Sequence, residues 1–204
     1  MALRVVRHFC RNPKSILQNR VLRYHLLMPD VDHLQSELEA FEIMTAGFVG
    51  SILRAARSIP EDKWNWSISE RTPTPREVVE HTFMWLWCDR QQMTIFDWSL
   101  HRPTPELPNG KEAMIEMLHA EGEAWREMVT ALSPADLLET RTTFGSEGRN
   151  LRSFLFHMGQ HVIYKAGQIW LLAFELGVDG GDPYTAPHPN EDYGFGNPGW
   201  PSPR

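Results

Sequence analysis

A chain of 204 residues with 42% hydrophobic and 23% charged residues is enough for one domain with a real core, so a multi-domain reading starts at a disadvantage. The net charge of -6 hides a division: residues 1–27 carry Arg4, Arg7, Arg11, Lys14, Arg20 and Arg23 and no acid, so residues 28–204 stand at -12. An acidic body repels phosphate backbones and excludes a generic nucleic-acid binder. Cys10 and Cys88 form no disulfide framework or four-cysteine metal site, and no run of about 18 apolar residues occurs. A reducing, cytoplasmic setting without a membrane span is the expectation.

The first 27 residues are Arg-rich, acid-free and mildly amphipathic through Leu3, Val6, Ile16, Leu17, Val21 and Leu22. They read either as an organelle-targeting leader or as a mis-assigned start ahead of Met28. The bundle is then expected over 28–177. Its first helical pattern runs from about Asp32 to Ser58, with Leu34, Leu38, Phe41, Met44, Phe48, Ile52 and Leu53 at three- and four-residue steps, and stops before Pro60. The second starts at Thr74, with Pro75 at the first helical position and Glu77 placed for a capping box, and is expected to reach about Leu100.

A Pro-rich loop from His101 to Gly110 leads to a third helix from about Lys111 to Leu132. Residues 139–149 look irregular or briefly extended. Asn150 can cap a fourth helix reaching Leu176, with Gly177 as its left-handed terminator. The tail over 178–204 holds six Pro and five Gly and cannot be a regular element, although Tyr184, Tyr193, Phe195 and Trp200 give it packing groups. Four helices without clear strand pairs predict an all-α fold, a four-helix bundle with an irregular tail.

At about 100° per residue, the second helix places Glu77, His81, Met84, Trp85, Cys88, Gln92 and Ile95 on one face, predicted to point inward. In the fourth helix His157, His161, Tyr164, Gln168, Leu171 and Glu175 form a similar stripe. One inward histidine facing a His-x3-His pair is a candidate three-nitrogen metal site made of His81, His157 and His161. The bland alternative is a set of satisfied core histidines. Glu121, near the centre of the third helix's apolar stripe, reads as a general base, a ligand, or the partner of an arginine. Cys88 reads as a buried apolar thiol rather than a nucleophile.

The runs Thr74-Pro-Arg-Glu-Val-Val-Glu-His81 and Leu151-Arg-Ser-Phe-Leu-Phe-His157-Met-Gly-Gln-His161-Val-Ile-Tyr-Lys165-Ala-Gly-Gln168-Ile resemble the DinB-like superfamily of four-helix-bundle metalloenzymes. The resemblance covers about residues 30–176. It implies a divalent ion, zinc or nickel, held by one histidine of the second helix and a His-x3-His pair of the fourth that ends in a His-x-Gly-Gln signature. On that pattern His81 is the first ligand, and the Gly167-Gln168 landmark puts His161 on the second. The third ligand then falls on Lys165, whose protonated amine has no lone pair to give. Either His157 completes a displaced triad, or this chain has lost or weakened its metal.

The resemblance further implies metal-dependent hydrolysis of a small molecule, or transfer involving a low-molecular-weight thiol. Glu121 or Tyr164 would then move the proton, and Lys165 would bind an anionic substrate group. Against this stands a metal-free bundle that binds a ligand or another subunit, and a purely structural dimerising bundle. A homodimer is expected under every reading, because the stretch from Thr82 to Ile95 is apolar around much of its circumference.

Overall fold

The computed structural model describes residues 37–95, 97–143 and 146–178. The basic leader, Cys10, the start of the first helical pattern and the four tail aromatics lie outside the described residues. The first arm of the bundle opens as α1 (Glu37–Glu42), passes through a π-helical turn (Ile43–Gly47) and continues as α2 (Phe48–Ser58). In the widened turn Thr45 Oγ1 donates to the Phe41 carbonyl at 2.7 Å, which satisfies its buried hydroxyl.

α2 stops at Ile59, which adopts an extended conformation ahead of Pro60. Lys111, itself buried, reaches across to donate to the Arg57 and Ile59 carbonyls at 3.1 and 2.6 Å and so satisfies the helix end. α3 (Pro75–Thr94) begins with the expected capping box. The Glu77 amide donates to Thr74 Oγ1 at 3.1 Å, and the Thr74 amide donates to Glu77 Oε2 at 2.8 Å.

α3 ends at Thr94 rather than near Leu100. Gln91 turns the chain back, because its side chain pairs with the Arg102 backbone in both directions, at 2.7 Å from the Arg102 amide and 3.1 Å to the Arg102 carbonyl. A short 3-10 turn, Trp98–Leu100, occupies the intervening loop. α4 (Lys111–Thr130) is two residues shorter than expected. The stretch read as irregular or briefly extended forms a small antiparallel hairpin, β1 (Thr140–Thr143) and β2 (Ser146–Asn150), with its register broken between Arg141 and Thr143.

α5 (Leu151–Glu175) is capped by Asn150, whose Oδ1 accepts from the Ser153 amide at 2.8 Å. At its other end Gly177 takes φ 71°, and the Gly177 and Val178 amides bond back to the Phe174 and Ala173 carbonyls. That double closure is the Schellman arrangement, which needs a left-handed residue at Gly177. α5 packs against both α2 and α3, and α4 packs against the same two, so α2 and α3 occupy diagonal corners of a four-helix bundle.

The shared core is filled by Ile52, Leu53, Leu86, Met114, Leu118, Trp125, Leu155, Met158 and Ile169, all fully buried. Two polar edges in it are satisfied: Trp125 Nε1 donates to the Leu86 carbonyl at 3.0 Å and Trp170 Nε1 to Ser51 Oγ at 2.9 Å. Where the π-helical turn meets α5, a Cβ added at Gly159 would stand 2.9 Å from Met44 Cβ and 2.8 Å from Met44 Cε, so only glycine permits that approach. Among the described residues no helix is long and apolar enough to cross a membrane.

The helix faces differ from the expected ones. On α3 the core side is Val78, Val79, Thr82, Phe83, Leu86 and Met93, and Met84 is 40% exposed. On α5 it is Leu155, Met158, Val162, Ala166, Ile169 and Ala173, while Tyr164 and Leu171 are exposed. Both expected stripes are rotated by roughly 130° from the true core faces. They line the edge of the bundle.

Candidate functional site

α3 and α5 are neighbours, and the displaced stripes meet along the seam between them. His161 sits at the centre: its ring centroid is 6.2 Å from that of His81, 5.1 Å from Trp85 and 5.4 Å from His157, the last ring edge-on. His81 and His161 are half-buried, and His157 is exposed. The sequence thus brings His81 and His161 together, with His157 on the rim.

Trp85, one turn beyond His81 on the same helix, fixes the His81 ring. Its indole Nε1–H donates to His81 Nε2 at 2.9 Å. A neutral imidazole that accepts at Nε2 carries its proton on Nδ1. That Nδ1 is buried and finds no hydrogen-bond partner among the described residues. Sequence reasoning assigned Trp85 no role. The signal was the four-residue spacing from His81, which places the two rings on one helix face.

One turn beyond His161, Lys165 is buried, with 9% of its surface exposed. Its Nζ donates to Gln168 Oε1 at 3.0 Å and lies 5.6 Å from the centre of the Tyr164 ring, while Gln168 Nε2 donates to the Tyr164 hydroxyl at 3.2 Å. Burial pushes the Lys165 ammonium below the ordinary lysine range. The same desolvation, followed by the charge of Lys165 and the neighbouring His161, holds His81 below its usual value; His161 is lowered by burial, then by His157 and Lys165. The two central imidazoles are therefore kept neutral beside a partly desolvated cation.

Glu121, the candidate general base, is elsewhere. It is buried on α4 and held by Arg90, whose Nε and Nη2 donate to its two carboxylate oxygens at 2.6 and 2.8 Å. Arg90 lies nine residues, about 13 Å of helix rise, beyond His81. The arginine-partner alternative is the one realised, and Glu121 is a structural ion pair. Tyr164 is 63% exposed and, among the described residues, joins the seam through Gln168 and Lys165. Cys88 is half-buried, and burial raises its thiol, the opposite of what an activated nucleophile requires.

The divalent ion implied by the sequence resemblance needs three lone pairs directed at one point. His81 has committed its Nε2 lone pair to Trp85 and carries a proton on the other nitrogen. Lys165, at the position of the expected third ligand, offers an ammonium, and His157 stays on the exposed side of α5. Among the described residues, no three His, Cys, Asp or Glu side chains are grouped so as to hold a metal ion. The donor set of His81, His157 and His161, as arranged here, does not fit a resident zinc or nickel. The physical reason is the pairing of His81 with the indole and the lysine one turn after His161.

The family model described as the DinB superfamily matches residues 50–169, a stretch that contains His81, His161 and Lys165. The crystal structure of a DinB-like protein from Bacillus subtilis, YjoA, is similar with a TM-score of 0.56 at 15% sequence identity, over 68% of this chain and 92% of that chain. At that identity the likeness speaks for the fold alone. Comparison with curated proteins finds no match.

Proposed function

This chain belongs to the DinB superfamily, and from that membership we propose that its working site is the seam between α3 and α5 around His81, His161 and Lys165, and that it takes a small molecule there without a resident metal. The observation that carries this reading is the His81–Trp85 hydrogen bond, which removes the one lone pair that His81 would direct to an ion, together with the ammonium of Lys165 beside His161. What remains is a half-buried pair of neutral imidazoles, a desolvated amine and a phenol linked through an amide. These groups bind and orient a polar molecule, with Trp85 and the His157 ring as walls.

Metal titration of protein purified without an affinity tag tests the proposal. The natural chain is expected to take up no stoichiometric zinc or nickel and to show no metal-induced thermal shift, whereas Lys165→His gains zinc affinity. Tight 1:1 uptake by the natural chain, lost in His81→Ala, would overturn it.

A second reading is favoured by the contact of the His157 and His161 rings at 5.4 Å, within reach of a shared ion if the His81 ring were released from Trp85. That reading is a metal-dependent hydrolase or thiol-dependent transferase, in which Tyr164 and Lys165 would serve proton movement or substrate binding. Trp85→Phe discriminates between the two. It frees His81 Nε2 and raises metal affinity only if the histidines are otherwise disposed to bind.

A further inference from the structure

Resting on the metal-free reading above, we infer that the molecule held at the seam is a small anion, a carboxylate or a phosphate, received by the ammonium of Lys165 and the free imidazole N–H of His81. The first support is a comparison within the protein. Three other buried or half-buried cations have well-defined acceptors: Lys111 holds two backbone carbonyls, Arg90 holds Glu121 with two bonds, and Arg76 holds Glu80 at 2.6 Å.

Lys165 has one neutral amide oxygen and the face of a tyrosine, and no carboxylate among the described residues. A buried ammonium without a counter-charge is costly unless something else supplies the charge. The second support is the sign of the surroundings. The charges that act on His81 are those of Lys165 and His161, and those that act on His161 are those of His157 and Lys165, all positive or neutral, in a body whose net charge is strongly negative.

The third support is hydrogen-bond inventory. The neutral tautomer that the indole imposes on His81 leaves Nδ1–H as a buried donor with no acceptor among the described residues. A buried donor left unpaired is unfavourable. Donors thus outnumber acceptors at the seam, and an anion with two or more oxygens supplies the missing ones. Lys165 also stands one helical turn from His161, whose ring centroid lies 6.2 Å from that of His81, so the three groups border one stretch of the seam.

The test uses the full chain, titrated separately with sodium phosphate and sodium acetate against sodium chloride at matched ionic strength. Thermal unfolding and the imidazole resonances of His81 and His161 are the readouts. The expected result is a saturable rise in midpoint with at least one of the two anions, accompanied by movement of both imidazole resonances; which anion acts identifies the oxyanion class. Lys165→Met should bind at least tenfold more weakly, while Lys165→Arg retains binding. Without added anion, Lys165→Met should unfold at a higher temperature than the natural chain, because it removes an unpaired buried charge, and this separates lost binding from lost folding.

No saturable response, or an equal response in the natural chain and Lys165→Met, overturns the inference. A parallel zinc titration separates the two levels. Stoichiometric zinc uptake that needs His81 removes the metal-free reading and this inference with it, whereas absence of both zinc and anion binding removes the inference alone.

Discussion

Asp89 offers the most quantitative test of how this bundle is held together. It lies on α3, 2% exposed, and among the described residues its one hydrogen bond comes from Gln92 Nε2 to Oδ1 at 2.9 Å, while the other end of that amide, Gln92 Oε1, is buried without a partner there. With no cation paired to it among the described residues, desolvation pushes the carboxyl from 3.8 up to about 7. A raised carboxyl binds its proton more tightly folded than unfolded, so stability falls as pH rises from about 4 to about 7 and is level above that. The difference corresponds to about 4 kcal/mol at pH 8, and less than about 2 kcal/mol at pH 5.

Asp89→Asn keeps the shape and removes the charge. Urea unfolding of both proteins between pH 5 and 8, read as the difference in stability at each pH, isolates this residue from every other titrating group. The variant should gain on the natural chain as pH rises, by an amount of that order. A difference that does not change with pH, or an Asn variant that loses stability throughout, would refute the reasoning.

Other expectations follow from single contacts. Gly159→Ala should destabilise by about 1–3 kcal/mol, since the Met44 Cβ it would meet at 2.9 Å is fixed to backbone and the clash exceeds the helix-propensity gain. Gly167→Ala, where nothing lies within 4 Å, should instead stabilise by up to about 1 kcal/mol, and thermal or urea melts of the pair give opposite signs. Glu121→Gln should cost about 3 kcal/mol by leaving Arg90 without its partner, yet leave anion or metal titrations unchanged, because the pair is remote from the seam. Because burial lowers His81 and His161, stability from these rings is fully present above about pH 6.5 and is lost as pH falls through their lowered values. His81→Gln combined with His161→Gln should flatten the acid limb of the stability profile.

Much of the fold was legible because its punctuation is local. The Thr74-Pro75-Glu77 start and the Asn150 and Gly177 ends each depend on a few neighbouring residues, and each appears where the sequence puts it. What was not legible depends on contacts between distant segments. α3 stops early because Gln91 captures the Arg102 backbone, and the π-helical turn draws Met44 against Gly159 of a helix more than a hundred residues away. The wheel reading failed for a related reason. α5 carries Phe156, Ile163, Leu171 and Phe174 on its outer side as well as its core residues, so no face stands out by apolarity alone.

His81 and His161 nevertheless come together, because the error was nearly the same on both helices. Rotating α3 and α5 by similar amounts moves both stripes from the centre of the bundle to the seam where the helices touch, so His81 still meets His161. Relative placement survived although absolute placement did not. Its consequence is chemical. At the centre, three histidines would be dry and convergent; on the seam, one is tied to an indole, one is exposed, and the desolvated cation is Lys165. A site that is half open, cationic and rich in donors selects for a ligand that brings oxygens and negative charge with it.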